Sequence, residues 1–416
     1  MLAETLEYGV FSHVVVNTAF EKYKPEARDR AFISRLYQGV LERLIYLDFC
    51  INRVSKTKTV KMKPAILNIL RTGAYQLLFM DQVPDRAAVH EAGRLAEKRG
   101  FKELKPFVNG VLRSIQRDGR ERAEAEMPAN IRLSVPKWMY EMLCSQYGTD
   151  VAERFLENAL AADSALTIRL NTAKASAEEI ISALEAEGCT VKALDERGDC
   201  FSLDDFGSIT GLSAYGKGLF SVQDRSSVRA ALAGCRELKK MNVTSPLIVD
   251  VCAAPGGKSI CAAQEFKEGC IIARDLSPKK AALINDNIER LGLTNIKSEV
   301  HDALVTDAGL VNKADMVIAD LPCSGIGVIG NKPDIKFRLK KKDLEGLTDL
   351  QADILDTVSG YVRKGGLLLF STCTINKDEN SGMVSRFLES HSFELIREET
   401  MLEGGDGFYV AVMRRK

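Results

Sequence analysis

Three domains of different class are predicted from this sequence: an all-α N-terminal bundle, a small α+β middle domain, and a Rossmann-like α/β domain on a doubly wound parallel sheet. Three observations predict them. Apolar residues recur at helical spacing to about residue 118, and the pattern turns to strand, helix, strand from Thr167. From Pro246 short apolar runs alternate with stretches long enough for crossover helices. A chain of 416 residues with 45% hydrophobic and 27% charged content suits two to three such domains.

In the first region Leu36, Val40 and Leu44, and then Leu67, Leu70, Ala74 and Leu77, follow helical periodicity. Pro64 suits a first helical position, and Asp85 suits the cap of a helix whose inner face carries Ala88, Ala92 and Leu95 and which stops at Gly100. Phe107 and Val108 read as bundle core and Gly110 as a packing contact. RDGRERAEAEMPAN, residues 117 to 130, is charged and lacks large aliphatics, which marks a linker or exposed helix and places the first boundary there. Trp138 reads as an anchor just beyond it. TIRLN then reads as a strand, AEEIISALEAEG as a helix stopped by Gly188, and CTVKAL as a strand, a small α+β domain to about residue 220.

The last region carries the runs LIVDVC, CIIARD, ADMVIADLP and GGLLLFSTC, with FELIREE and FYVAVMRR as a closing strand pair. Ligands of such sheets bind at the carboxyl ends of the strands, and the informative residues fall there. LIVDV runs into CAAPGGKS, so Gly256 and Gly257 occupy a strand-to-helix turn whose backbone amides attract an anion. The spacing fits neither a triphosphate loop nor the dinucleotide fingerprint, which leaves a smaller anion such as an amino-acid carboxylate. A side chain at Gly256 is expected to intrude on that anion. Asp275 ends the next strand, where a carboxylate takes the hydroxyls of a ribose, and Asp302 follows the third, within reach of an adenine amino group.

Asp320-Leu321-Pro322-Cys323 ends the fourth strand and Ser371-Thr372-Cys373-Thr374 the fifth, so two thiols and a carboxyl group face one cleft. A lone cysteine near a strand end is ordinarily filler. Two thiols with an aspartate suit a specific chemistry: C5 of a pyrimidine is too weak a nucleophile to take a methyl group until a thiolate adds at C6. A second group must then direct loss of the C5 proton, and an acid must hold the base edge and stabilise charge at N3.

The chain resembles the bacterial 16S ribosomal RNA 5-methylcytosine methyltransferases of the RsmB (Sun, Fmu) type. VDVCAAPGGKS, ARDLSPKKAALINDNIERLGL, DLPCSGIGVIGNKPDIK, LLLFSTCTINKDENSGMV and DGFYVAVMR carry the resemblance, and GLFSVQDRSSV leads into them. DRAFISRLYQGVLER, LRTGAYQLLFMDQVPDRAAVHEA and FVNGVLR resemble its NusB-type domain. The resemblance implies a NusB-like helical RNA-binding domain over residues 1–125, linker helices and a small α+β RNA-binding domain over 126–235, and a class I methyltransferase domain of the NOL1/NOP2/Sun kind over 236–416. It makes Cys373 the nucleophile, Cys323 the thiol that assists product release and Asp320 the base-holding acid, with Lys258 beside the cleft. S-adenosylmethionine is the implied cofactor, contacted by Cys252, Ala253, Ala254, Pro255, Gly256, Gly257 and Lys258, by Asp275 and Asp302, and by Asp320. The chain departs from its relatives at Asn331-Lys332 before Pro333, where many carry an arginine pair, which bears on phosphate contacts.

Lys+Arg and Asp+Glu both total 57, so RNA contacts must come from local patches. KTKTVKMK at 56–63 and RLKKKD at 338–343 are the basic runs; the second is favoured as an RNA contact because it follows the catalytic motif, and the first is as well read as a solvated face. The ten cysteines include no C-x-x-C pair and read mostly as buried hydrophobes, and His13, His90, His301 and His391 lack ligand spacing, so no metal is assigned. The N-terminus does not read as a signal peptide and no run approaches a membrane span, so a cytoplasmic protein is expected, monomeric and acting on unassembled or partly assembled 16S rRNA. The alternatives are the same chemistry on tRNA or another RNA, a non-catalytic NusB-like RNA-binding factor, and a methyltransferase of small molecules or protein. The pair of cysteines disfavours the last two.

Overall fold

The computed structural model describes residues 1–161, 166–402 and 406–416. The chain divides into two compact units, one of residues 1–162 and 329–341, the other of residues 163–328 and 342–416.

The first unit is helical. The helices Ala27–Glu42, Leu44–Val54, Pro64–Phe79, Asp85–Lys98 and Lys105–Glu124 enclose a core in which Val40, Leu47, Ile51, Leu70, Ala74, Val108 and Leu112 are fully buried. Pro64 opens its helix, where a missing N–H costs nothing. The helices approach closely where side chains are absent: a Cβ on Gly73 would lie 2.7 Å from Leu112, and one on Gly39 would lie 2.0 Å from the Tyr75 ring. Gly110 is not such a contact, because a Cβ there would meet nothing within 4 Å. Asp85 begins its helix without capping it. Pro84 holds the cap position with no side-chain bond, and the Asp85 carboxylate instead accepts from Gln116 on another helix, at 2.8 Å. Ala88, Val89, Ala92 and Ala96 form that helix's inner face, and Leu95 is 39% exposed at its edge.

The charged stretch after residue 117 is helical to Glu124, with a break at Gly119, whose φ of 71° leaves the helical region. Arg53 fastens it by pairing with Asp118 at 2.7 Å and with Glu126. Past the boundary expected near residue 125, the helices Lys137–Tyr147, bearing the half-buried Trp138, and Thr149–Ala161 still belong to this unit.

Residues 329–341 fold into the same unit. Ser12 Oγ donates to Asp334 Oδ1 at 2.6 Å, and Lys336 Nζ donates to the Glu42 carbonyl at 2.6 Å. The Arg338 guanidinium donates to the Gly9 carbonyl at 2.8 Å and lies 3.8 Å from the centre of the Phe11 ring. Arg338, expected as part of an RNA-contacting run, therefore holds this segment in place, because an aromatic face and a carbonyl satisfy it internally. Lys340, Lys341 and Lys342 stay exposed, as do Asn331 and Lys332. In the other run Lys58 donates to the Asn52 carbonyl and Lys63 sits over Phe101, leaving Lys56 and Lys61 to solvent.

Burial pushes the Lys336 ammonium down from 10.5 to about 7. Its folded form favours the neutral amine, so the associated stability is present above pH 10.5 and is lost as pH falls toward 7, by up to about 5 kcal/mol. Lys336→Met removes that cost and forfeits one hydrogen bond of about 1 kcal/mol. The expected result is a Tm about 5 °C above wild type at pH 7, with the difference shrinking toward pH 10. Melting curves at the two pH values check it; an equal difference at both would show that burying the ammonium is not the cost.

The second unit carries two sheets. β1 (Leu166–Leu170), β2 (Thr190–Ala193), β3 (Phe201–Asp204) and β4 (Phe220–Val222) form an antiparallel sheet in the order β2-β3-β1-β4. The helix Ala177–Ala186 covers it, started by a capping box between Ser176 and Glu179 and followed by Gly188 at φ +87°. Arg169 on β1 reaches Glu265 at 3.0 Å and also Gln264, which ties this sheet to the larger one's helical layer.

The larger sheet comprises β5 (Leu247–Asp250), β6 (Cys270–Asp275), β7 (Ile296–Val300), β8 (Ala314–Asp320), β9 (Val362–Thr372), β10 (Phe393–Met401) and β11 (Phe408–Arg415). Its order is β10-β11-β9-β8-β5-β6-β7, parallel from β9 to β7, with β11 antiparallel to both β9 and β10. The chain order reverses at β5, which lies between β6 and β8, so the crevice expected at the strand ends opens at the end of β5. Among the described residues no helix is long and apolar enough to cross a membrane.

Candidate active site

The residues singled out for chemistry and cofactor binding sit where the parallel strands end: Cys252 to Lys258 after β5, Asp275 closing β6, Asp302 after β7, Asp320 closing β8, and Cys373 after β9. Cys323 follows Asp320 by three residues. The two sulfurs lie 3.4 Å apart, so the fold brings both predicted thiols to one point. Backbone bonds hold their loops together, with Gly327 N donating to the Cys373 carbonyl at 3.1 Å. A Cβ on Gly327 would lie 1.9 Å from the Gly407 carbonyl oxygen, so only glycine permits that approach.

Lys258 Nζ, on the first turn of the helix Gly257–Glu265, donates to Asp320 Oδ2 at 2.7 Å and to Ser227 Oγ at 3.0 Å, and stands 5.0 Å from the Phe408 ring centre. Ser371 Oγ donates to Asp320 Oδ1 at 2.7 Å. Both oxygens of the carboxylate are thus oriented from opposite sides, and the Asp320 side chain keeps 32% of its surface open against 7% for Lys258. Ser227 and Ser371 were not identified from the sequence, though both lie in the quoted stretches QDRSSV and STC. Serine is too common for such a position to stand out without coordinates.

The cofactor loop turns at Gly256, whose φ is +105°. A Cβ there would sit 3.2 Å from Ile260 and 3.3 Å from Ile284, both core residues. Glycine is therefore required by the turn and by the packing behind it; a Cβ there meets these isoleucines, whereas the sequence leads us to expect it to intrude on the anion in front. A Cβ on Gly257 would lie 3.1 Å from the Gln223 amide. Beneath the loop the buried Asp250 accepts from Ser259 Oγ at 2.5 Å, and burial pushes its carboxyl group up to about 7. Burial, with the neighbouring carboxylates of Asp250, Asp275 and Asp320 adding to it, pushes the Cys252 thiol up to about 12. Cys252 thus lines the loop as a neutral thiol.

These residues fit S-adenosylmethionine. The first-turn amides of the helix Gly257–Glu265 have no intrahelical acceptors and suit a carboxylate. Gln223 Oε1, buried beside Gly257 and without a partner among the described residues, is an acceptor of the kind an ammonium requires. Asp275 accepts long bonds from Ser277 N and Ala254 N, at 3.2 and 3.4 Å, and pairs with Lys280 at 3.7 Å, which leaves lone pairs for a ribose diol. Asp302 accepts from Leu304 N at 3.0 Å with one oxygen and has the other to offer.

A doubly wound sheet with this loop and paired thiols at its strand ends defines an S-adenosylmethionine-dependent methyltransferase acting at C5 of cytosine. Over 433 aligned residues the chain is 34% identical to the probable ribosomal RNA small subunit methyltransferase B of Bacillus subtilis, covering 98% of this chain and 95% of that protein. The chain belongs to the RsmB family of 16S rRNA methyltransferases. Residues 238–413 match the family described as 16S rRNA methyltransferase RsmB/F, residues 5–117 the NusB family, and residues 135–210 the ferredoxin-like domain of RsmF/B-like methyltransferases. The ribosomal RNA small subunit methyltransferase B of Proteus mirabilis is 30% identical, over 94% of this chain and 91% of its own. In fold, the chain is similar to the crystal structure of PH0851, with a TM-score of 0.79 at 24% identity over 96% and 93% of the two chains. NSun6 from Pyrococcus horikoshii gives 0.58 at 22% identity over 67% of this chain and 98% of that one.

Proposed function

We propose that this enzyme methylates C5 of one cytosine in 16S rRNA through a covalent bond between Cys373 and C6 of the base. The observation that carries the reading is the pair of sulfurs 3.4 Å apart at the ends of β8 and β9, next to the Lys258–Asp320 pair. Lys258 Nζ donates to Asp320 Oδ2 across 2.7 Å, and on this reading the pair supplies N3 with a proton. As the Cys373 thiolate bonds to C6, electron density moves through C5 and C4 to N3, which takes that proton, and C5 becomes enamine-like. Bound S-adenosylmethionine supplies the methyl group that C5 receives. N3 then returns its proton to Asp320.

Release requires the C5 proton. Cys323, as thiolate, takes it; the C–H electron pair forms the C5–C6 double bond, and the C6–S bond breaks with its electrons returning to Cys373. Two thiols this close cannot both ionise readily. Cys323 is held well above the ordinary thiol range by its bond to Cys373, by burial and by the nearby negative charge of Cys373 and Glu379. Once Cys373 is bonded to carbon that sulfur no longer carries charge, which removes one of the causes that hold the Cys323 proton. On this reading the two thiols act in sequence, and the Cys323 proton leaves to water.

The base must leave its stack to reach Cys373, at a cost of a few kcal/mol that is smallest in unpaired RNA, which favours a substrate not yet assembled into the subunit and a cytoplasmic site of action. RNA recognition falls on this reading to the helical unit, whose residues 5–117 match the NusB family. Mass spectrometry of nucleosides from a deletion strain tests the reading: 16S rRNA should lose one 5-methylcytosine, restored by the wild-type gene and not by Cys373→Ala. A loss confined to transfer RNA would redirect the assignment.

A further inference from the structure

Behind the two thiols lies a carboxylate that the reaction as described does not use. Glu379 ends the short helical turn Lys377–Glu379 and is fully buried. No salt bridge reaches it among the described residues, so hydrogen bonds alone compensate its charge. Ser324 N donates to Oε1 at 2.8 Å, while Ser324 Oγ and Asn376 Nδ2 donate to Oε2 at 2.6 and 3.0 Å. The same Ser324 hydroxyl lies 2.7 Å from Thr374 Oγ1. Gln351 Nε2 donates to the Pro322 carbonyl at 2.9 Å and reaches Glu379 Oε1 at 3.4 Å.

Ser324 follows Cys323 in the chain, Pro322 precedes it, and Thr374 follows Cys373. The Glu379 carboxylate thus gathers the backbone on both sides of one catalytic thiol and the residue next to the other. Every one of these contacts donates, and both carboxylate oxygens accept, so an amide would set its NH2 against a donor. The carboxylate also brings a fixed negative charge to the Cys323 side.

We propose that Glu379 is a positioning residue of the methyl-transfer reaction: its two carboxylate oxygens clamp the Cys323 and Cys373 loops together and set a fixed negative charge beside Cys323. This rests on the assignment of the two thiols above. Its negative charge is one of the causes that raise Cys323, after the bond to Cys373, burial and the charge of Cys373.

The test is Glu379→Gln in the full-length enzyme, with iodoacetamide alkylation of Cys323 followed by peptide mass spectrometry across pH. Binding of S-adenosylmethionine reports that the variant is folded. The alkylation curve of Cys323 should move to lower pH by about one unit, with turnover reduced about tenfold or more and cofactor affinity unchanged. A folded variant whose Cys323 curve matches wild type overturns the electrostatic role. If the variant loses cofactor binding, Ser324→Ala reads the clamp instead: turnover should fall about tenfold with the Cys323 curve where wild type has it, and undiminished turnover overturns the proposal. Alkylation of Cys323 does not depend on which thiol attacks the base. An error in the thiol assignment would show separately, as adduct formation by Cys373→Ala.

Discussion

Cys373→Ala should be inactive, with turnover down by at least about 10⁴-fold, as for other enzymes that lose their nucleophile, and should form no covalent species with RNA. Without a sulfur to add at C6, C5 never gains the electron density to accept a methyl group. S-adenosylmethionine affinity should stay near wild type, since the residues that fit the cofactor lie at the ends of β5, β6 and β7 and Cys373 follows β9.

Cys323→Ala should give the opposite signature despite a sulfur only 3.4 Å away. Cys373 can still attack and C5 can still be methylated, but the C5 proton has lost its acceptor. The adduct should then persist and survive a denaturing gel when unpaired RNA and S-adenosylmethionine are both present. An adduct in Cys373→Ala and none in Cys323→Ala would reverse the roles. Adducts in neither variant, with wild type turning over, would remove the covalent pathway.

Sequence reading captured what periodicity and strand-end placement control. The strands of the large sheet, the Gly256 turn, Asp275, Asp302, Asp320 and both thiols lie where the alternation of apolar runs and helices puts them. It failed where side chains choose between partners that only the folded chain brings together. Asp85 had the local chemistry of a cap, yet Gln116 from another helix claimed it. Gly110 looked like a packing glycine, but Gly73 faces Leu112. Arg338 sat in a basic run that suited RNA, and was taken by Phe11 and the Gly9 carbonyl, more than 320 residues earlier in the chain. Glu379 was invisible for the same reason. In KDEN it reads as a charged surface turn, and nothing local marks it as a buried residue bonded to Ser324.

Asp320→Asn should lower turnover by about 10² to 10³-fold, the usual cost of removing one preorganised group that stabilises developing charge. Asparagine keeps the shape, and Ser371 Oγ can still donate to its carbonyl oxygen. What changes lies on the other side. Lys258 Nζ, 2.7 Å from Oδ2, would face an amide in place of a carboxylate, and the opposite charge would be gone. The nearly buried ammonium would then be left with Ser227 Oγ and the Phe408 ring as its described neighbours. The loss should fall on the addition step, because N3 must take a proton as the C6–S bond forms. Combined with Cys323→Ala, which stalls the reaction after that step, Asp320→Asn should slow the appearance of the covalent species by the same factor by which it lowers turnover. Isothermal titration should find S-adenosylmethionine affinity changed by no more than about threefold, a small share of the transition-state effect. If cofactor affinity fell as far as turnover, Asp320 would act as a cofactor ligand, and if the adduct formed at the undiminished rate, the acid at N3 would have to be another group.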